Sequence, residues 1–478
     1  MYSRSGFLYL HRIVVDAEDP SGRVLKGNPV RIRDCARSCV IHNGSESNAI
    51  TQTGEKAGAG RSQKTCQDQV KHPGSGTSPR GNVNSYSIMK KARLLLLCGA
   101  LVSVFACQKD PIPETYRDAD LTGEKVDLSG VSTNARKVFV LNEGGMGSNN
   151  STLDFLRISD ANYVTGAFKK MNPSVGAGLG DVGNDIVVVG DEAWMVINNS
   201  GLVEVISAKD ETEIAAIQVP TPRSITYDNT YAYVTSWAGA YANGSYDEYG
   251  YYSVTDYKNV QGQVYRINLN TKKVEGSIQV GYQPEGIACY NGKLYVANSG
   301  GISSQLPPDY SYDNTVTVID TKTFKAVKTL DVQINLKSVF SDGKGNIYVT
   351  TLGDYWSVHS GVYMIDTSDN VKHISDYVSV AAIHDGTLYC IGAEEEFDWS
   401  APKTWKAFSV KDGTKATFNM NMDSGTTPYG LFAFGNDAFL VGDVRGDYFN
   451  PGTVSLYSKG NKTWTVTAGV CPGHFAIW

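Results

Sequence analysis

Lys293-Leu294-Tyr295-Val296-Ala297-Asn298, a polar stretch, and then Asn314-Thr315-Val316-Thr317-Val318-Ile319-Asp320 form a two-part phrase that the chain writes seven times. The first part recurs as Val138-Phe139-Val140-Leu141-Asn142, Ala193-Trp194-Met195-Val196-Ile197-Asn198 and Ala232-Tyr233-Val234-Thr235-Ser236. It recurs again as Ile347-Tyr348-Val349-Thr350, Leu388-Tyr389-Cys390-Ile391 and Ala438-Phe439-Leu440-Val441. A repeat every roughly 49 residues is the spacing of propeller blades, each one supersecondary unit that cannot bury its apolar faces alone.

Each copy reads as four strands. Around Glu285 they are Gly286 to Tyr290, Lys293 to Asn298, Thr315 to Asp320 and Ala326 to Val332. Asn291-Gly292 joins the first two as a two-residue hairpin turn, a device repeated by Asp385-Gly386 and approximated by Gly435-Asn436. Apolar residues alternate along strands such as Tyr265/Ile267/Leu269, so that one face packs on the next blade. The first copy starts at its second strand, and the C-terminus supplies a spare first strand. Pro472-Gly473-His474-Phe475-Ala476-Ile477-Trp478 matches Pro284-Glu285-Gly286-Ile287-Ala288 and Pro428-Tyr429-Gly430-Leu431-Phe432. The reading is an all-β, seven-bladed propeller of four-stranded antiparallel blades over 136–478, its ring closed by the C-terminal strand.

The composition agrees: 49 glycines and 28 tyrosines among 478 residues, with 19% charged, suit many short strands and turns. A net charge of −6 with no basic stripe excludes a nucleic-acid partner. Cys289, Cys390 and Cys471 sit in strand-like runs and read as buried free thiols. The Cys35/Cys39 pair lacks the second pair that a zinc site needs, so no metal is expected.

Residues 1–88 carry no sustained period and read as a non-native or disordered extension, with translation starting at Met89. From there Lys90, Lys91 and Arg93 form a basic head and Leu94 to Phe105 an apolar core, a signal peptide over 89–106 too short to span a bilayer. Val104-Phe105-Ala106-Cys107 resembles the bacterial lipobox, which implies lipidation of Cys107. Residues 107–135 then serve as a flexible tether from the membrane, with Gln108-Lys109-Asp110 resembling the charged tag of surface-displayed lipoproteins.

Antiparallel connectivity places on one face the loops from strand two to strand three and those entering strand one. Nearly all length variation falls there, in Asn142–Asn150, Ser236–Gln261, Asn298–Asn314, Leu352–Ser360, Ala393–Lys403 and Asp443–Pro451. These loops are dense in aromatics, among them Trp237, Tyr241, Tyr355, Trp356, Trp399 and Tyr448. The residues entering strand one align as Asn184, Arg223, Glu285, Lys337, Ser379, Tyr429 and His474, a polar ring around the channel mouth. Asn142, Asn198, Asn298 and Arg445 complete the candidate ligand-binding set. His474 and His359 are both placed near this mouth, as hydrogen-bonding residues rather than metal ligands. No nucleophile elbow, phosphate loop or zinc-protease motif is present, and the chain does not read as an enzyme. A lyase with His474, Tyr429 and Arg223 as its base and neutralisers is the least favoured reading.

The Tyr-Val-Thr-Ser, Tyr-Val-Ala-Asn and Tyr-Val-Thr-Thr runs resemble the YVTN repeats of surface-layer propellers. Lipobox, tether and seven blades together resemble the YncE-like propeller lipoproteins of Bacteroidetes, nearest to the cobalamin-binding BtuG group. That resemblance implies an outer-membrane, cell-surface lipoprotein that binds a cobalamin or other corrinoid and passes it to a BtuB-like TonB-dependent transporter. Corrin faces would lie on Tyr and Trp, with peripheral amides on Arg223, Glu285, Lys337 and the asparagines. The same fold also suits a carbohydrate- or peptide-binding surface propeller or a surface-layer scaffold.

Overall fold

The computed structural model describes residues 121–478 apart from 239–243, 247–251, 255–260, 302–311, 355–356, 394–400 and 436, and only the backbone of 244–246 and 252–254. The proposed signal segment and Cys107 lie outside the described residues.

Among the described residues seven antiparallel blade sheets follow one another along the chain, with a separate two-stranded pair, Gly244–Tyr246 and Tyr252–Val254, inserted in the third. Blade 4 shows the plan: Pro284–Tyr290 innermost, then Lys293–Asn298, Thr315–Asp320 and Lys325–Asp331 at the outside. Asn291 and Gly292 both take positive φ, +46° and +74°, as a type I′ hairpin turn requires, and Asp385 and Gly386 repeat this at +42° and +75°. The outer strands are mostly exposed, as in the run Lys325–Asp331, and carry lysines that discourage edge-to-edge pairing.

The second strands are buried on both faces rather than one. Each blade is sandwiched between two others, so alternation sorts side chains by neighbour instead of by solvent. In Lys137–Asn142, Phe139 and Leu141 join the core facing blade 2, while Val138 and Val140 join the core facing blade 7. In Glu192–Ile197, Met195 and Ile197 face back to blade 1 and Trp194 and Val196 face on to blade 3.

The ring shuts as the sequence implies. Pro472–Ile477 pairs antiparallel with Lys137–Asn142, Val138 opposite Ile477 and Val140 opposite Phe475. Trp478 then ties the closure to blade 2: its carbonyl accepts from Arg136 N at 2.6 Å and its indole N–H donates to Asp191 at 3.0 Å. Beside it Lys137 is buried, in an ion pair with Glu211 at 2.6 Å and donating to the Ala208 carbonyl at 3.1 Å.

Residues 121–135, expected as the outer part of a flexible tether, instead lie on the propeller. Glu124–Lys125 adds a fifth strand to blade 1, and Val126, Leu128, Val131 and Ala135 pack over the core between blades 1 and 7. Trp464 of blade 7 donates to the Asp127 carbonyl at 2.9 Å. Apolar side chains at 126, 128 and 131 give this stretch a reason to dock that a polar leash would lack.

Removal of residues 472–478 strips blade 1 of its inner strand and opens the seam; circular-dichroism melting of that truncation should show no cooperative transition. A second expectation concerns Asp154, buried in Thr152–Arg157, where it accepts from Gly166 N at 2.8 Å and Tyr163 Oη at 3.2 Å. Burial raises its carboxyl pKa, with those hydrogen bonds pulling the other way. A folded-state pKa above the unfolded value means that lowering pH through it favours the folded form. The melting temperature of Asp154→Asn relative to the parent should therefore decline as pH falls toward about 4, the ordinary aspartate range.

Candidate ligand-binding site

Strand two ends and strand one begins at the same end of every blade, and one hydrogen bond fixes the two together. The N–H just after strand two donates to the carbonyl just before strand one in six of the seven blades. Glu143 donates to Cys471 at 3.0 Å, Asn198 to Val182 at 2.7 Å and Trp237 to Thr221 at 3.1 Å, with Ser299, Leu352 and Val444 repeating the contact. Val182 and Thr221 hold left-handed φ of +64° and +37°, costly for β-branched residues and sustained by this clamp. Five of the six long loops thus leave from the rim of one opening, and in blade 6, which carries the sixth, Ser379 N–H donates to the Ile391 carbonyl at 2.9 Å.

The polar ring divides into a sealed half and an open half. Over blades 2 to 4 the side chains turn between blades. Arg223 and Glu285 are both buried and pair with each other, Nη2 to Oε1 at 3.1 Å, while Trp237 stacks on the guanidinium at 4.1 Å. Asn184 is buried as well. The asparagines are also structural: Asn142 donates to Thr152 Oγ1 at 3.0 Å, Asn298 to Thr315 and Thr317 at 3.0 and 2.9 Å, and Asn198 to the Pro222 carbonyl at 2.9 Å. These residues build the rim and present little surface to a ligand.

Over blades 5, 6, 7 and 1 the ring is open. Lys337, Ser379, Tyr429, His474 and Glu143 line a central channel of about 370 Å³. Glu143 is the hub: its carboxylate accepts from Tyr429 Oη at 2.5 Å and contacts His474 Nε2 at 2.9 Å. Tyr448 meets Tyr429 edge-on at 6.1 Å. Gly473 is required here, because a Cβ would stand 2.8 Å from the Tyr429 ring. The lyase set is thereby broken up, with Tyr429 and His474 joined through Glu143 and Arg223 committed to Glu285.

Two sequence alignments need a one-residue correction. Asn142 and Asn298 sit opposite Pro472 and Pro284, while Val140 and Val296 sit opposite Phe475 and Ile287. Gly473, not His474, is therefore the counterpart of Glu285, and His474 stands one step deeper. Asn198 occupies the place of Ser299 and Glu143, one beyond Asn298, as the clamp above shows. The channel hub Glu143 escaped the sequence reading because it follows the repeated phrase rather than belonging to it.

Arg445 is exposed on the rim of blade 7, its own N–H donating to Asp443 Oδ1 at 2.7 Å. His359 packs its ring on Tyr377 at 4.6 Å, away from the channel lining. Tyr241, Tyr355, Trp356 and Trp399 lie outside the described residues, although the strands that launch their loops end at the rim, at Ser236, Thr351 and Gly392. Among the described residues no three His, Cys, Asp or Glu side chains gather to hold a metal ion. Cys289, Cys390 and Cys471 are free thiols; burial pushes Cys289 up to about 11 and Cys390 up to about 12.

The chain belongs to the family described as Domain of unknown function (DUF5074), whose model matches residues 136–435. No curated protein matches it. Among solved structures it is similar to a quinonprotein alcohol dehydrogenase-like protein of Bacteroides thetaiotaomicron, at 14% identity over 72% of this chain and 79% of that one, TM-score 0.49. A functionally unknown protein from Desulfotomaculum acetoxidans is similar at 11% identity over 72% and 99%, TM-score 0.48. Kuenenia stuttgartiensis hydrazine synthase is similar at 17% identity over 57% and 76%, TM-score 0.42.

If Arg223 belongs to the frame, Arg223→Met strands a buried carboxylate and should cost about 3–5 kcal/mol of stability in denaturant unfolding. Arg223→Met combined with Glu285→Leu should recover most of that loss, since a well-packed apolar pair replaces the ion pair.

Proposed function

We propose that this DUF5074 propeller is a ligand-capturing protein held at the cell surface by a lipid on Cys107, with the channel mouth as its site. The observation that carries the reading is the open arc of Glu143, Lys337, Ser379, Tyr429 and His474 on the face from which the aromatic loops leave. Polar anchors in a concave setting, with Tyr and Trp around them, are the general form of a small-molecule site.

The ligand we favour is a cobalamin or another corrinoid, passed on to a BtuB-like TonB-dependent transporter in the outer membrane. The sequence resemblance to the cobalamin-binding propeller lipoproteins supports this choice. A corrin is larger than the 370 Å³ channel, so it would lie across the mouth with only a peripheral group entering. Lys337 and the Glu143–Tyr429–His474 cluster would meet that group, and the rim loops would cover the macrocycle. Arg223 and Glu285, once counted among the amide partners, would act only as support beneath.

A glycan reading has one observation on its side. A second groove, of about 350 Å³ on blade 7, is lined by Thr426, Thr453, Ser455 and Thr465 with Asp423, Arg445 and Lys462, a hydroxyl-rich and charged wall.

Calorimetric titration with cobalamin should give saturable binding, weakened at least about tenfold (about 1.4 kcal/mol) by Lys337→Ala or Tyr429→Ala. Lys328→Ala, on an outer edge, should leave it unchanged; silence toward corrinoids removes this ligand. Radiolabelled fatty acid should enter the protein in cells and be lost in Cys107→Ala.

A further inference from the structure

Below the mouth the channel changes character, and it does so on one side. Around the ring the inner strands of neighbouring blades run alongside one another, but Leu336–Ser341 of blade 5 and Val380–His384 of blade 6 scarcely touch. Farther out the same two blades are normally packed, through Tyr348, Val362, Leu388 and Cys390. Ala381 belongs to that same cluster and Phe340 and Ile383 pack against it, so the channel wall is thinned here without a break between the blades. Blade 6 contributes small side chains to this wall, Ala381 and Ala382, which also pack into the cores on its two faces.

Apolar side chains reach this space from four blades. Phe340, Ala381, Ile383, Leu431, Phe432 and Phe475 line it, and the rings of Phe432 and Phe475 stack at 5.8 Å with 13° between their planes. Phe340, Ile383, Phe432 and Phe475 are only half-buried. Blades 2 to 4 contribute less: their Ile225 and Ile287 stand level with Leu431 and Phe475, while the deeper lining, Phe340, Ile383 and Phe432, comes from blades 5 to 7.

We propose that the throat beside blades 5 and 6 is an apolar subsite for one slender alkyl or aromatic group, carried by a small molecule whose hydrogen-bonding head stays at Glu143, His474 and Lys337. Enclosure by the ring rules out a helix, about 10 Å across, or any folded partner. The channel of about 370 Å³ is shared between the polar mouth and the throat below it. Apolar walls left half-wet gain from any apolar occupant, in proportion to its area. The polar rim immediately above orients such a molecule head-up. The inference does not depend on which ligand covers the mouth.

The probe is a series of straight-chain 1-alkanols, butanol to octanol, titrated against the whole protein by saturation-transfer NMR. Each added methylene should tighten binding about fourfold until the throat is full. Ala381→Leu should flatten that dependence by filling the throat. Ile383→Phe does the same from a half-buried position that tolerates bulk, so the test survives if the first variant fails to fold. Affinity independent of chain length, or an unchanged slope in a folded filling variant, overturns the subsite, whatever corrinoid titrations show.

Discussion

The pairing of Pro472–Ile477 with Lys137–Asn142 is the constraint on which the rest depends. A ring of blades gains its full burial only when the last blade meets the first, and here that meeting also assembles the open half of the mouth. Glu143 follows the second strand of blade 1, His474 sits on the closing strand and Tyr429 begins blade 7. They are remote in sequence and are drawn to one carboxylate only when the seam is shut. Fold stability and the binding surface are thus properties of the same junction. The docking of residues 126–135 over the blade 1–blade 7 core reinforces it from outside.

Burial on both faces of each blade creates a second problem, register. A sheet slipped by one residue would exchange the side chains meant for its two neighbours. Buried ion pairs answer this better than apolar contacts, because only one alignment leaves both charges satisfied. Lys137–Glu211 fastens blade 1 to blade 2, and Arg223–Glu285 fastens blade 3 to blade 4. The second of these stands in the polar ring itself, which is why residues that look like ligand anchors in the sequence serve as frame in the structure.

The fold was legible because its signals are periodic. Tyr-Val-Xaa-Asn phrases, Asn291-Gly292 and the orphan strand at 472–478 each repeat or complete a pattern, and periodic patterns survive loop insertions. The site was legible only in outline. Its face followed from connectivity, and Lys337, Ser379, Tyr429 and His474 do line the channel. What sequence could not convey was direction. Arg223 and Glu285 turn toward each other while Tyr429 and His474 turn to Glu143; the depth of His474 was legible, because the match of Pro472 to Pro284 already sets Gly473 against Glu285. Aligning the residues just after strand two, Glu143 with Asn198, Trp237 and Ser299, was the signal available for finding the hub.

The asymmetry of the mouth narrows what kind of recognition it can perform. A symmetric polar ring would treat all approaches alike, whereas this one has a rigid side and a receptive side. Over blades 2 to 4 the stacked Trp237 and the closed Arg223–Glu285 pair form a floor with its hydrogen bonds already made. Over blades 5 to 1 the floor falls away into a channel whose first groups are charged or hydroxylic and whose deeper groups are apolar. On the proposed reading, a broad ligand resting there would be supported on one side and probed on the other, so discrimination between related molecules would fall to whichever substituent reached the open arc. On that reading, Lys337, Tyr429, Glu143 and His474, held by the seam, would set orientation. Specificity would then rest with the strands that close the ring.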